Sequence, residues 1–264
     1  MCPCVSAVAE NTLCSRLLRP YAIPMQARIN LSTLASCDAC AIRNRAICSG
    51  LDRDELALLN ALGRKRHLQA GEQLQWEGDE AVLVANVIEG VMKLSTHTVN
   101  GQEQILGLVY PSDFLGRPFG ETAPFCVEAL TDVQVCIFLR REFEQFARDH
   151  PSLEHKLLER TLAELDRTRR WMLLLGRMNA EQKLASFLLE MEKRLTNQHC
   201  AAGQATDLKW TSPLSRQQIA DVLGLTIETV SRLFTRLRAD GLIDVPSRRE
   251  IVILNRPALL QRSA

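Results

Sequence analysis

Three thiols crowd the stretch "CDACAIRNRAIC", where Cys37, Cys40 and Cys48 follow a C-x2-C-x7-C spacing. Thiolates are soft donors, suited to zinc or to the irons of an iron–sulfur cluster. Zinc sites take their ligands in local pairs. Three local thiols leave a fourth ligand to come from elsewhere. Buried or free thiols without metal are the plainer alternative, and that reading suits Cys200 and also Cys2, Cys4 and Cys14.

A second group of chemistry-bearing residues lies near the other end, in "LSRQQIADVLGLTIETVSRLFTRLRADGLI". Glu228, Ser231 and Arg232 are spaced to share one helical face. Arg can grip guanine O6 and N7 with two hydrogen bonds, Glu can accept from cytosine N4, and Ser adapts to either groove edge. Arg236 and Arg238 follow as candidates for phosphate contacts.

The elements that must position these residues are legible around them. Ser215 and Gln218 form an S-x-x-Q capping box that opens a helix ending near Leu223. Gly224 marks a turn, Thr226 is an N-cap, and a second helix runs over 227–239 to Asp240-Gly241. Two short helices across a glycine turn, followed by a hairpin over Leu242–Val245 and Glu250–Leu254, predict a winged helix-turn-helix. Upstream, 179–195 reads as an amphipathic helix. The segment 152–178 reads as a long one with a near-heptad stripe of Leu158, Leu162, Leu165 and Met172, interrupted at Arg169. So narrow a stripe predicts a seam with a second copy, a homodimer. Residues 50–68 read as a short helix with acidic residues early and basic residues late. Residues 69–139 alternate strand-like runs with turns, Asn100-Gly101 being the strongest hairpin signal, and predict an all-β roll or barrel. A short helix over 141–149 follows, and residues 1–36 carry no clear periodicity.

Composition narrows the function classes. A chain of 264 residues with 46% hydrophobic content fits two modest domains. The net charge is only +1, but from Arg177 onward there are 13 Lys and Arg against 9 Asp and Glu; that net of +4 leaves −3 for the rest. A basic C-terminal part hints at nucleic acid. No apolar run reaches the roughly 18–20 residues of a membrane span, and the first residues lack a signal-peptide pattern. The expectation is a cytoplasmic protein without a membrane partner, where nine cysteines, an odd number, serve metal or redox chemistry rather than a full disulfide set. No catalytic triad or phosphate loop is present, and none of the five His residues forms an i, i+4 pair, so an enzyme is not expected.

These residues together resemble the CRP/FNR family of bacterial transcription regulators, over about 37–255. The resemblance implies an α+β architecture: a leader and cysteine segment (1–50), a cyclic-nucleotide-binding-like β-roll sensory domain (51–149), a long dimerisation helix (150–178) and a winged helix-turn-helix DNA-binding domain (179–264). "ETVSR" is similar to the recognition helix of the FNR branch, which implies a palindromic site like TTGAT-N4-ATCAA in double-stranded DNA, read by Glu228, Ser231 and Arg232. That branch holds a 4Fe–4S cluster on four cysteines. Cys37, Cys40 and Cys48 match the first three, although x7 replaces the x5 of its best-known members. Cys126 and Cys136 are both candidates for the fourth, and "ALTDVQVCIFLRREF" resembles the stretch that carries it, which selects Cys136. By the same resemblance the cluster sustains a DNA-binding dimer without oxygen, oxygen inactivates it, and RNA polymerase is a partner, touched near Asn100-Gly101. Arg167, Arg169 and Arg170 are expected to oppose pairing at the seam when the cluster is absent. Cyclic-nucleotide binders carry Gly-Glu and Arg-Ser or Arg-Thr pairs. Here Gly116 precedes Arg117, and Phe125-Cys126 stands at the second pair, so no cyclic nucleotide is expected. A zinc-stapled, constitutive DNA binder is the competing reading.

Overall fold

The computed structural model describes residues 37–97, 103–196 and 209–264. The Asn100-Gly101 tip, the leader, and Cys2, Cys4, Cys14 and Cys200 lie outside the described residues. The cysteine segment opens with two 3-10 turns, Cys37–Ala39 and Ile47–Gly50, and leads into helix α1 (Arg53–Leu62). Asp52 caps α1: its carboxylate accepts from the Glu55 amide at 2.9 Å, and Glu55 accepts from the Asp52 amide at 2.9 Å.

Eight strands follow: β1 (Arg64–Leu68), β2 (Gln73–Gln75), β3 (Leu83–Glu89), β4 (Met92–His97), β5 (Glu103–Val109), β6 (Phe114–Leu115), β7 (Cys126–Ala129) and β8 (Val133–Leu139). They form two four-stranded sheets, β1-β8-β3-β6 and β2-β7-β4-β5, with antiparallel pairing throughout. The sheets enclose a core that includes Leu68, Val87, Met92, Val127 and Val135. This is the β-roll expected from the strand-and-turn pattern. Residues 64–68 correct the reading of 50–68 as one helix. "RKRHL" leaves the helix after Gly63 and pairs with β8 at the sheet edge, where a basic outer face is tolerated.

Helix α2 (Arg140–Asp149) packs on the outer face of the first sheet, and α3 (Pro151–Arg177) runs on for 27 residues with Pro151 in its first turn. Helix α4 (Ala180–Thr196), strand β9 (Lys209–Thr211), helices α5 (Arg216–Leu223) and α6 (Ile227–Ala239), the wing strands β10 (Ile243–Asp244) and β11 (Glu250–Ile253), and α7 (Arg256–Arg262) complete the chain. Gly224 takes φ +62° between α5 and α6, the left-handed turn that closes a helix. The wing is broader than a hairpin, because β9 adds a third strand beside β11. Among the described residues no helix is long and apolar enough to cross a membrane.

Gly90 joins β3 to β4 at φ +84°, and a Cβ there would lie 2.3 Å from the backbone oxygen of Asp132. Gly90→Ala is therefore expected to cost about 2–4 kcal/mol through strain and a backbone clash, read as a lowered melting temperature.

Candidate functional site

Two apolar clusters on the outer face of the first sheet gather the cysteines. Ile47, Leu51, Phe138, Phe143 and Leu153 form one, with Cys37, Cys48 and Cys136 packed against it. Ile42, Ala46 and Ile88 form the other, with Cys40, Cys48 and Cys136 against it. The pleat of β8 explains why Cys136 is there. Val133 and Val135 point into the roll, and Cys136 points to the opposite face. Cys126 lies instead on β7 in the other sheet, buried, with its sulfur accepting from the Glu77 amide at 3.4 Å. The structure thus brings Cys37, Cys40, Cys48 and Cys136 together and keeps Cys126 apart.

The four thiols sense one another electrostatically. Burial pushes the Cys136 thiol up to about 12, with the negative fields of Cys37, Cys40 and Cys48 adding to the rise and Lys65 opposing it. Burial pushes Cys48 up to about 11, opposed by Arg43 and reinforced by Cys40 and Cys37. Four thiolates in this seam therefore need a cationic group to offset them. Among the described residues, no three His, Cys, Asp or Glu side chains close on one point as the ligands of a single metal ion would.

Residues without a metal-binding signature hold the segment in place. The Arg43 guanidinium donates to the carbonyls of Cys48 at 2.7 Å and Leu51 at 2.9 Å, locking the turn that carries the third thiol. The Cys37 thiol donates to Asn60 of α1 at 3.0 Å. Gly63 leaves room for the site: a Cβ there would meet the Cys136 sulfur at 3.2 Å and the Phe138 ring at 2.8 Å. Gly50 lies close to α3 in the same way: a Cβ there would lie 3.1 Å from the Ser152 carbonyl oxygen. Sequence reasoning missed all four residues. Only Arg43 and Gly50 lie within or beside the cysteine segment, where proximity was a usable signal.

From this foot, α3 extends with two unlike faces. Leu153 and Leu174 are buried, whereas Leu158, Leu162, Leu165 and Met172 are 55%, 54%, 43% and 68% exposed. Arg167 is not at that exposed stripe. It turns to Glu164 and to Asp113, which lies 4.0 Å away at the end of the roll. Arg169 stays outward, 3.5 Å from Asp166.

In the helix-turn-helix, Val230, Phe234 and Leu237 bury one face of α6, and Glu228, Ser231 and Arg232 lie exposed on another. The Thr226 hydroxyl accepts from the Thr229 amide at 3.3 Å and caps α6. The Glu228 carboxyl is held below its usual range by its own backbone amide first, then by Thr226. It therefore stays ionised, as an acceptor for cytosine N4 must be. Arg236 is exposed and pairs with Glu181 of α4 at 3.2 Å. Arg238 remains exposed.

Comparisons with known proteins agree with this anatomy. A Crp-like helix-turn-helix domain matches residues 182–262, and a cyclic nucleotide-binding domain matches residues 65–150. The chain is 40% identical to the transcriptional activator protein FnrL of Cereibacter sphaeroides, covering 87% of this chain and 92% of that one. It is 42% identical to the nitrogen fixation regulation protein FixK of Bradyrhizobium diazoefficiens, covering 79% and 86%. The solved structure of FixK2 from Bradyrhizobium japonicum superposes with a TM-score of 0.69 at 32% identity, covering 76% of this chain and 98% of that one.

A side chain at position 63 must press on Cys136 and Phe138 together. Gly63→Val is expected to raise the alkylation rate of Cys136 in the metal-free protein at least several-fold by displacing a half-buried thiol. Mass spectrometry of trapped thiols measures this, and an unchanged rate would show that the pocket absorbs the added methyls.

Proposed function

We propose, given that the chain belongs to the Crp/Fnr family of transcriptional activators, that it is an oxygen-responsive member, a homodimer that binds DNA while Cys37, Cys40, Cys48 and Cys136 hold a 4Fe–4S cluster. The family consists of transcription factors, not enzymes. One observation carries the reading: thiols from two separated parts of the chain share one apolar seam at the foot of the long helix. The donor set suits the group, since four soft thiolates are the ordinary ligands of such clusters and their surroundings are largely apolar. Cys37, Cys40, Cys48 and Cys136 would hold the cluster, which would supply redox chemistry when bound.

The rest of the mechanism belongs to the chain. With the cysteine segment seated, Ile47 and Leu51 press on Leu153, and Gly50 lies against Ser152. These contacts fix the first turns of α3. The exposed stripe Leu158, Leu162, Leu165 and Met172 then pairs with its counterpart in a second copy, burying apolar surface that a lone chain leaves in water. Pairing sets two α6 helices about one helical turn of DNA apart, so that Glu228, Ser231 and Arg232 of each read one half of a palindrome such as TTGAT-N4-ATCAA. Release of the segment removes the support under α3 and weakens the dimer. RNA polymerase is the partner of the DNA-bound form, and the cytoplasm is the compartment.

The β-roll serves this assembly without cyclic nucleotide. In the loop where binders place their phosphate contacts, Phe119 donates its amide to the Glu144 carboxylate at 2.9 Å, and Arg140 pairs with the same carboxylate at 2.8 Å. An internal anion thus takes an amide of this loop, and Phe125 stands where binders place an arginine, so it offers no guanidinium.

The test is purification without oxygen, followed by metal and sulfide analysis, sedimentation and titration with a palindromic duplex. About four irons per chain, a dimer, and DNA affinity that falls at least tenfold after exposure to air are expected. One zinc per chain and air-stable DNA binding would remove the oxygen response and leave the constitutive DNA binder. Arg169→Leu completes the apolar stripe, so its DNA binding is expected to survive air better than that of the wild type. Equal sensitivity would exclude charge repulsion at this position.

A further inference from the structure

The outer face of the first sheet carries one polar residue beneath the cysteine segment that neither motif nor family resemblance points to. Asn86 sits on β3, two residues from Val84, and pairs directly with Cys136 of β8 on one side and Phe114 of β6 on the other. Val84 belongs to the apolar cluster under Cys37 and Cys48, and strand alternation places Asn86 on the same face. Asn86 is 2% exposed, and its Oδ1 has no hydrogen-bond partner. Two other buried polar atoms share that condition among the described residues, on Gln73 and Trp210, but they lie in the second sheet and in the DNA-binding domain.

A buried carboxamide with an unpaired atom lowers stability unless something pairs with it. Residues directly opposite on antiparallel strands bring their Cβ atoms to about 4.5–5.5 Å, within reach of a hydrogen bond between side chains. A half-turn about the last torsion exchanges the amide oxygen and nitrogen, so the unpaired position can equally present an N–H. A protonated thiol is a weak acceptor; a thiolate ligand and an inorganic sulfide are strong ones. The acceptor that this amide lacks is therefore one that metal loading creates.

We infer that Asn86 is a positioning residue for the thiolate set, its side-chain N–H donating to the Cys136 sulfur or to an adjacent sulfide of the bound group. The inference rests on the cluster reading above. Hydrogen bonds to ligand sulfurs withdraw electron density and make such a group harder to oxidise. Asn86 would thus set how fast the protein responds to oxygen, not whether it does.

The test uses full-length wild type, Asn86→Val and Asn86→Ser, each loaded without oxygen. Val keeps the strand and removes every donor; Ser keeps one donor. Iron and sulfide content, the decay of visible absorption in air, and melting temperatures with and without metal are measured. Asn86→Val is expected to load but to lose its colour about three- to tenfold faster than wild type, with Asn86→Ser between them. Metal-free Asn86→Val is expected to melt no lower than metal-free wild type, because an unpaired buried amide has been removed. That readout separates the role from general packing. Equal decay rates in all three proteins, or a metal-free Asn86→Val that melts clearly lower, would assign the amide to the core and overturn the inference. A wild type that takes up no iron and sulfide would instead overturn the cluster reading itself, before any variant is compared.

Discussion

Gathering four half-buried thiols in one apolar seam is the constraint on which the rest of the molecule turns. As neutral thiols they pack as small apolar groups against Ile42, Ile47 and Phe138. As thiolates they repel one another in a poorly solvated place, and Arg43 and Lys65 offset only part of that. Burial raises Cys48 and Cys136 above the usual thiol range, so their deprotonated forms are favoured only beside a cationic group. On the reading proposed above, metal affinity, protonation and the seating of residues 37–51 form one linked equilibrium.

The seam matters beyond itself because of what it touches. Gly50 meets Ser152 with no side chain between them, so a shift of the cysteine segment reaches the first turn of α3 directly. Further along, Asp113 ties three parts of the chain together. It accepts from the Tyr110 amide at 3.1 Å, faces Arg167 of α3 at 4.0 Å and pairs with Arg194 of α4 at 3.5 Å. Burial raises the Asp113 carboxyl despite Arg194, which marks a pair held in a poorly solvated place. Pairs of this kind add little net stability but are costly to break on one side. Tyr110 adds a hydrogen bond to Met191 at 2.9 Å, and Gln104 donates to the Asp221 carbonyl of α5 at 3.1 Å. The roll, the long helix and the helix-turn-helix are thereby joined by specific polar contacts as well as apolar ones.

The β-roll carries its distinctive residues in its loops and on its outer face. Residues 65–150 match a domain described by its nucleotide ligand. Yet the loop after β6 is tied to Glu144, and Phe119 takes φ +62° in that loop. The roll's outer face, not its interior, holds the cysteine seam.

Much of this was legible in the sequence because the relevant signals are local. The Ser215 and Gln218 capping box, the Gly224 turn and the Thr226 cap act within four residues of one another, and each forms as its residue types require. The stripe on α3 follows from helical periodicity alone. The end of the first helix was misread, because "RKRHL" has no apolar alternation and becomes a strand only by pairing with β8. The three clustered cysteines pointed to a shared thiol site, but spacing could not choose between Cys126 and Cys136, ten residues apart. Strand pairing separated them, sending one to the second sheet and the other to the outer face of the first. Asn86, Gly63 and Asn60 likewise acquire meaning only through what lies across from them. The sequence by itself determined most of the helices, the caps of the helix-turn-helix and the kind of donor atoms available. Which donors meet, and against what, was decided by long-range pairing, since contacts between residues far apart in the chain leave no periodic trace within either segment.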